Sequence, residues 1–500
     1  MCWNSECFNF NSFAGKKVAV IITGPGYLEY PWGFETAIKL KKAGAKVEII
    51  DIANVAYSYS MRIKFKQLLL PIFLRSVLRR ILLISDTRIE KVVAKKSLQH
   101  EIPFTVKFMK PKILKFRISK IPICNFENVS WGGLNAFVIL QNLFSSFEKK
   151  PVRKNYLASS YQIERIKESV VKSYEIAVDL TQENFSAVFL ANGRQPVQST
   201  LTATLKRRGV KVYLYESAGG YIFPQVYAKH IDYWLTSPAN TIETQEKIKC
   251  QFINKNYEKI GFEVLEIIKY RKYIPYSLDY LTIHSSNYIL PKNKLGKNYV
   301  YFASSEWERS DSISSTFFAN RKTVFQDQIH AVKILLSCFA ENDRLYLRLH
   351  PSDPGNVSSE DEIWAEFLCD SRVIIIPTHS RVNSFQIAAQ TAACFVWNSF
   401  IGIELAVRDY HVGILGDAVY SEFMSGSWLT NTDLLKDWIK QPSKVNISEL
   451  LPYANYLAKG GYPITNCIIS PNREVTVDGM KCDMSKFRLM ENYRLINRIR

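Results

Sequence analysis

An apolar stretch that empties into Asn398 and Ser399 and then starts a helix through Gly402 and Glu404 presents backbone N–H groups and a hydroxyl to an anion. Ser399 is the phosphate ligand that this spacing selects. Glu404, one turn further in, accepts hydrogen bonds from ribose hydroxyls if it faces the pocket. Earlier in the chain, Arg348-Leu-His-Pro351 supplies a guanidinium and an imidazole. His350 can donate to a diphosphate or, as an imidazolium, offset its charge, and Arg348 can do the same if its side chain reaches the crevice. Ser304 and Ser305, with Glu306 beside them, end a third strand and can donate to a phosphate. The plain alternatives are Ser caps, a satisfied core histidine and a solvated helix face.

A group that takes a proton from a hydroxyl acceptor must be a carboxylate or histidine elsewhere, and Glu29, Glu35, Glu216 and His230 are the candidates. Glu216 and Glu29 rank first because each is expected in a loop after a strand; a solvated or salt-bridged acid is the ordinary alternative. Asn192 and Arg194, in an Asn-Gly-Arg turn, suit an anionic sugar or phosphate, or a structural salt bridge. No Asp-x-Asp pair is present to hold Mg²⁺ or Mn²⁺, so no essential metal is expected, and no cofactor. Gly24 and Gly26 follow the first strand, but Glu29 stands where a dinucleotide fingerprint wants its third glycine; Asp51 keeps that reading open.

These residues need strands to end where they begin. Strands are expected at 16–23, 46–51, 187–191 and 210–215, with helices at 34–43, 159–181 and, after the 192–194 turn, through Lys206, and Gly44 as a helix stop. Residues 243–271 read as helical, and 289–297, with Pro and Gly, as a linker. Beyond it strands at 298–302, 345–349, 373–376, 395–397 and 411–415 alternate with helices at 323–339, 360–369, 384–392 and 402–407. Such alternation predicts α/β structure with two parallel, doubly wound sheets and ligands at the carboxyl ends of the strands. The expected units are 1–290, with a basic insertion around 61–120, then 298–432, then a tail over 433–500 that crosses back to the first.

Five hundred residues, 47% of them hydrophobic, suffice for two such cores. Nine cysteines include no Cys-x-x-Cys pair and no zinc spacing, which predicts idle thiols. Signal-peptide layout and long apolar runs are absent, which predicts a cytoplasmic chain. Net charge is +19, and residues 62–120 hold sixteen Lys or Arg against three acids. Bulky apolar residues with Arg62, Arg75, Arg79 and Arg80 between 61 and 84 suit helices lying on an anionic membrane surface, or a face packed on the protein with a solvated cationic rim. No helix-turn-helix, finger or aromatic RNA-binding motif accompanies the charge, so nucleic acid is not an expected partner.

The ordered set Tyr301-Phe-Ala-Ser-Ser-Glu306, Gln326-Asp-Gln328, Arg348-Leu-His-Pro351, Ile374-Ile-Ile-Pro377, Ser399 to Glu404 and Gly416-Asp-Ala-Val-Tyr420 resembles the donor half of bacterial surface-polysaccharide glycosyltransferases of capsule and lipopolysaccharide clusters. Phe189-Leu-Ala-Asn-Gly-Arg194 and Tyr215-Glu216 resemble that family's first domain. The resemblance implies a GT-B fold with two Rossmann-like domains facing a cleft. It also implies that Tyr420 closes the donor pocket and that a nucleotide sugar is transferred to a lipid-linked or lipopolysaccharide glycan at the inner membrane face. Two departures stand out: Thr378-His-Ser-Arg-Val382 is bulky, and Arg408-Asp409 replaces a small-residue and glycine pattern. The competing readings are a catalytically inert envelope-assembly or binding protein on the same fold and a nucleotide-sugar epimerase.

Overall fold

The computed structural model describes residues 8–23, 29–52, 91–107, 119–148, 154–191, 196–217, 230–235, 241–253, 258–270, 289–304, 322–350, 364–378, 380–469 and 475–482. Residues 53–90 and 108–118 of the basic segment, including Arg62, Arg75, Arg79 and Arg80, and the site candidates Asn192, Arg194, Ser305 and Glu306 lie outside them.

The first sheet contains β1 (Lys17–Ile22), β2 (Lys46–Asp51), β3 (Phe104–Val106), β4 (Ala187–Ala191), β5 (Lys211–Ser217) and β6 (His230–Trp234). The second contains β7 (Asn298–Phe302), β8 (Arg344–Arg348), β9 (Val373–Ile376), β10 (Ala393–Val396) and β11 (Val412–Ile414). A last strand, β12 (Tyr462–Pro463), joins the first sheet, giving the order β12-β6-β5-β4-β1-β2-β3 against β9-β8-β7-β10-β11. Strands β1 to β5 and all of β7 to β11 are parallel, while β6 runs antiparallel to both its neighbours, β5 and β12. Strands such as Val18–Ile22 and Ala187–Ala191 are buried on both faces, as helices packed on either side of a parallel sheet require. The chain is thus α/β with two doubly wound sheets, the GT-B type of architecture.

The helices that matter here are α1 (Glu29–Lys42), α2 (Pro196–Arg207), α3 (Thr241–Phe252), α4 (Glu258–Lys269), α5 (Gln328–Ser337), α6 (Ile401–Ala406) and α7 (Leu451–Lys459). Helix α1 starts five residues before the expected position, because Pro31 stands in its first turn, where a missing N–H leaves no bond unmade. Gly44 ends that helix region at φ +86° as expected. Helix α5 is shorter than expected because Asp327 caps it, accepting from the His330 N–H at 2.7 Å.

Helices α3 and α4 precede the 289–297 linker, yet Ile248, Phe252, Val264, Leu265 and Ile268 share a core with Val300, Val396 and the α7 residues Tyr453 and Leu457. Conversely, Cys467, Val475, Val477 and Cys482 pack with β1 and α1. Helical residues 91–99 and strand β3 of the basic segment build the first sheet's edge; Lys96 pairs with Asp478 at 3.3 Å and Lys107 with Asp179 at 3.9 Å. Among the described residues no helix is long and apolar enough to cross a membrane.

Candidate functional site at the carboxyl ends of the strands

In each sheet the strand order reverses beside the strand that comes first in its unit: between β1 and β4, and between β7 and β10. In open α/β sheets these are the points, outside the carboxyl ends, where ligands bind. In the second sheet, Phe302 is paired with Arg348 and Val396, Arg348 with Ile376, and Val396 with Ile414. The ladder continues one step further, through Ala303 N–H to Arg348 O, Leu349 N–H to Ile376 O and Leu415 N–H to Val396 O, all at 2.9–3.0 Å. Two residues past the paired row, the strands therefore carry Thr378, His350, Ser304, Asn398 and Gly416 in a single transverse line.

At the switch point the line is closed by a bond from the Asn398 N–H to Ser304 Oγ at 3.4 Å. The Gln328 side chain fixes Ser304, accepting from its N–H at 2.7 Å and donating to its carbonyl at 3.0 Å. Arg348 is 2% exposed, and its guanidinium donates to Pro377 O at 2.6 Å and Ser380 O at 3.0 Å. It braces the bulky 378–382 loop, so the structure gives it a positioning place instead of the phosphate contact the sequence suggested. His350 is partly buried; burial first, and the Arg348 charge second, push its imidazole down to about 4. That direction favours the neutral, hydrogen-bonding form over the imidazolium at neutral pH.

The helix start differs from the expectation of open N–H groups. Gly402 N–H donates to Ser399 O at 3.0 Å and Ile403 N–H to Phe400 O at 3.1 Å, so these are used within the turn. Ser399 itself is partly exposed, and its carbonyl also accepts the Tyr420 hydroxyl. That contact is possible because residue 402 is glycine: a Cβ there would lie 2.6 Å from the Tyr420 oxygen. Glu404 is buried. Asp409 adopts φ +67°, filling the glycine role, since Asp tolerates the left-handed region better than most residues. Arg408 lies over the Phe385 ring at 4.2 Å. Thr241 Oγ1 donates to Asp417 O at 3.1 Å and Gln245 Nε2 to Ala418 O at 2.8 Å, tying α3 to the 416–420 loop.

The first-sheet candidates separate. Glu216 lies inside β5, not in a loop, opposite Asp232 of β6. Both are buried, and with Lys247, which bonds Asp232 at 3.1 Å, and Tyr456 they form a charged junction between the sheet and helices α3 and α7. Glu35 is fully buried and bonds the Thr465 N–H at 3.0 Å, the Asn466 N–H at 2.7 Å and Lys39 at 3.3 Å, pinning the C-terminal strands instead of facing a crevice. His230 is the first residue of β6. Asp51 accepts the Tyr30 hydroxyl at 2.8 Å. Glu29, the first residue of α1, accepts from Thr23 Oγ1 at 2.9 Å, beside the first switch point.

Sequence reasoning missed Thr23 and Gln198, and it named Thr378 only as part of a bulky loop. Thr378 is 5% exposed with no partner for its hydroxyl among the described residues. Counting two residues past the expected strand end at 376 would have found it.

No family model matches the chain, and no curated protein matches it. Similar solved structures include the β-Kdo 2,7 transferase KpsC of Thermosulfurimonas dismutans, at 16% identity over 70% of this chain and 92% of that one, with a TM-score of 0.34. A UDP-GlcNAc 2-epimerase of Methanocaldococcus jannaschii, solved with UDP-GlcNAc and UDP, is 12% identical over 89% and 100%, with a TM-score of 0.26. The spinosyn rhamnosyltransferase SpnG is 8% identical over 90% and 97%, with a TM-score of 0.25. At these values the fold assignment rests on the chain's own two sheets, whose matching reversals of strand order place a polar edge at each switch point.

Proposed function

We propose that the protein is a glycosyltransferase that holds a nucleotide sugar at the carboxyl edge of its second sheet. The observation that carries this reading is the transverse line Thr378, His350, Ser304, Asn398, Gly416, bonded across the switch point, with Ser399 directly after Asn398 in the chain. Ser304, Ser399 and neutral His350 donate to the phosphates, Glu404 accepts from the ribose, and Tyr420 holds the Ser399 turn. Glu29 of the first unit is the base. As the acceptor oxygen bonds the anomeric carbon, its proton passes to the Glu29 carboxylate, the sugar–phosphate bond breaks, and the electron pair leaves on the phosphate oxygen. Glu216, inside its strand and facing Asp232, belongs to the junction. The acceptor class, a lipid-linked or surface-polysaccharide glycan at the inner membrane face, is supported by the motif order and the cationic segment.

The test is a thermal-shift series with UDP, GDP, CMP and their sugar conjugates, because a ligand that binds only the folded state raises Tm by mass action. One nucleotide is expected to stabilise the wild type and not Ser304→Ala/Ser399→Ala. An inert assembly factor predicts no shift with any of them, and an epimerase predicts interconversion of the free nucleotide sugar with no acceptor present.

A further inference from the structure

Glu29 does not stand alone at the first switch point. Thr23, one residue past the end of β1, is 1% exposed and donates its hydroxyl to Glu29 Oε2 at 2.9 Å, while accepting on the same oxygen from Gln198 Nε2 at 2.8 Å. Gln198 is 3% exposed and sits in the first turn of α2, the helix that follows β4 on the other side of the switch point. The amide can only donate through nitrogen, so it fixes the hydroxyl's direction and commits the single Thr23 proton to the carboxylate. Gln198 to Thr23 to Glu29 is thus a one-way chain across the crevice, joining the two segments that the strand reversal separates.

A second observation marks the same helix face. Gly33 lies four residues after Glu29, one turn along, and a Cβ there would approach Tyr215 Oη at 3.1 Å. That hydroxyl is fully buried with no partner among the described residues; burial, and then the Glu29 carboxylate, hold its phenol well above the usual range. That helix face therefore carries a buried polar hydroxyl within reach of the Glu29 charge.

We infer that Thr23 and Gln198 are positioning residues that orient the Glu29 carboxylate toward the acceptor hydroxyl. This rests on the reading of Glu29 as base. Thr23 keeps its proton throughout; its bond stabilises the ionised carboxylate, which takes the acceptor proton.

The experiment compares wild type, Thr23→Val, Thr23→Ser, Gln198→Leu and Glu29→Gln in full-length protein by three readouts: nucleotide Tm shift, the pH profile of kcat for sugar transfer, and the carbon-13 carboxyl titration of Glu29, identified by its loss in Glu29→Gln. Thr23→Val is expected to lower kcat about tenfold through misorientation, leave the nucleotide shift intact and move the acid limb to higher pH, because a carboxylate that loses a donor is protonated more readily. Gln198→Leu acts in the same direction, Thr23→Ser restores the wild-type profile, and Thr23→Val adds nothing on a Glu29→Gln background. An unchanged carboxyl titration in Thr23→Val and Gln198→Leu overturns the relay, whether or not the protein transfers sugar. A wild type without nucleotide binding or transfer overturns the glycosyltransferase reading and leaves the titration to decide the relay by itself.

Discussion

The two switch points are built from the same topology and finished with opposite chemistry. At the second, Ser304 is locked by Gln328, Arg348 ties the neighbouring loop to its strand, and Tyr420 fits over Gly402; the line that results is hydroxyl, amide and neutral imidazole. At the first, a carboxylate is held by a hydroxyl that an amide in turn holds. A rigid, uncharged hydrogen-bonding edge suits a phosphate that must be bound and released, and an oriented carboxylate suits taking a proton. In the proposed reading, one fold yields a binding edge and a chemical edge according to which polar side chains follow its strands.

The sharpest way to break this comparison is Glu29→Gln, expected to lower turnover by about 10²-fold or more while the nucleotide Tm shift stays at the wild-type value, measured by single-turnover transfer and thermal shift. Next, Arg348→Met removes two donors to Pro377 O and Ser380 O and leaves those carbonyls poorly satisfied. It should cost about 3 kcal/mol in urea unfolding and weaken nucleotide binding, although Arg348 touches no phosphate in this account.

The third prediction concerns pH. His350 titrates at about 4 when folded against an ordinary 6.5, so between these values the unfolded chain holds more protons and stability rises with pH. Stability is present in full above pH 6.5 and falls as pH drops toward 4, by at most about 3 kcal/mol from this residue. Urea midpoints for wild type and His350→Gln at pH 7 and pH 4.5 should show a smaller drop in the variant. Fourth, Gly402→Ala drives a Cβ against the Tyr420 oxygen and should cost about 2 kcal/mol. Adding Tyr420→Phe should recover part of that loss, read as a positive coupling in a double-mutant cycle.

Much of this division was legible in the sequence and some of it was not. Apolar runs ending in Ser304, His350 and Asn398 announce parallel strands and their ligand loops, because buried strands need continuous apolar residues and the loops follow them. The ladder 298–302 and the strands 187–191 and 373–376 fall where expected. Arg348 looked like a phosphate ligand because residue type alone does not say which way a guanidinium points; burial at the strand end turned it onto carbonyls. Glu216 looked like a loop residue because the period of two does not mark where β5 stops, and pairing with β6 carries the strand through Ser217. Thr23 and Gln198 lie far apart in sequence, and only the reversal of strand order brings them together.

The most direct test of two finished edges is a calorimetric titration of the preferred nucleotide into wild type, Glu29→Gln and Ser304→Ala/Ser399→Ala. The account predicts equal Kd for the first two and a loss of binding of at least about tenfold, roughly 1.4 kcal/mol, in the third. Weakened binding in Glu29→Gln with none in Ser304→Ala/Ser399→Ala would place the nucleotide at the first sheet and contradict the account.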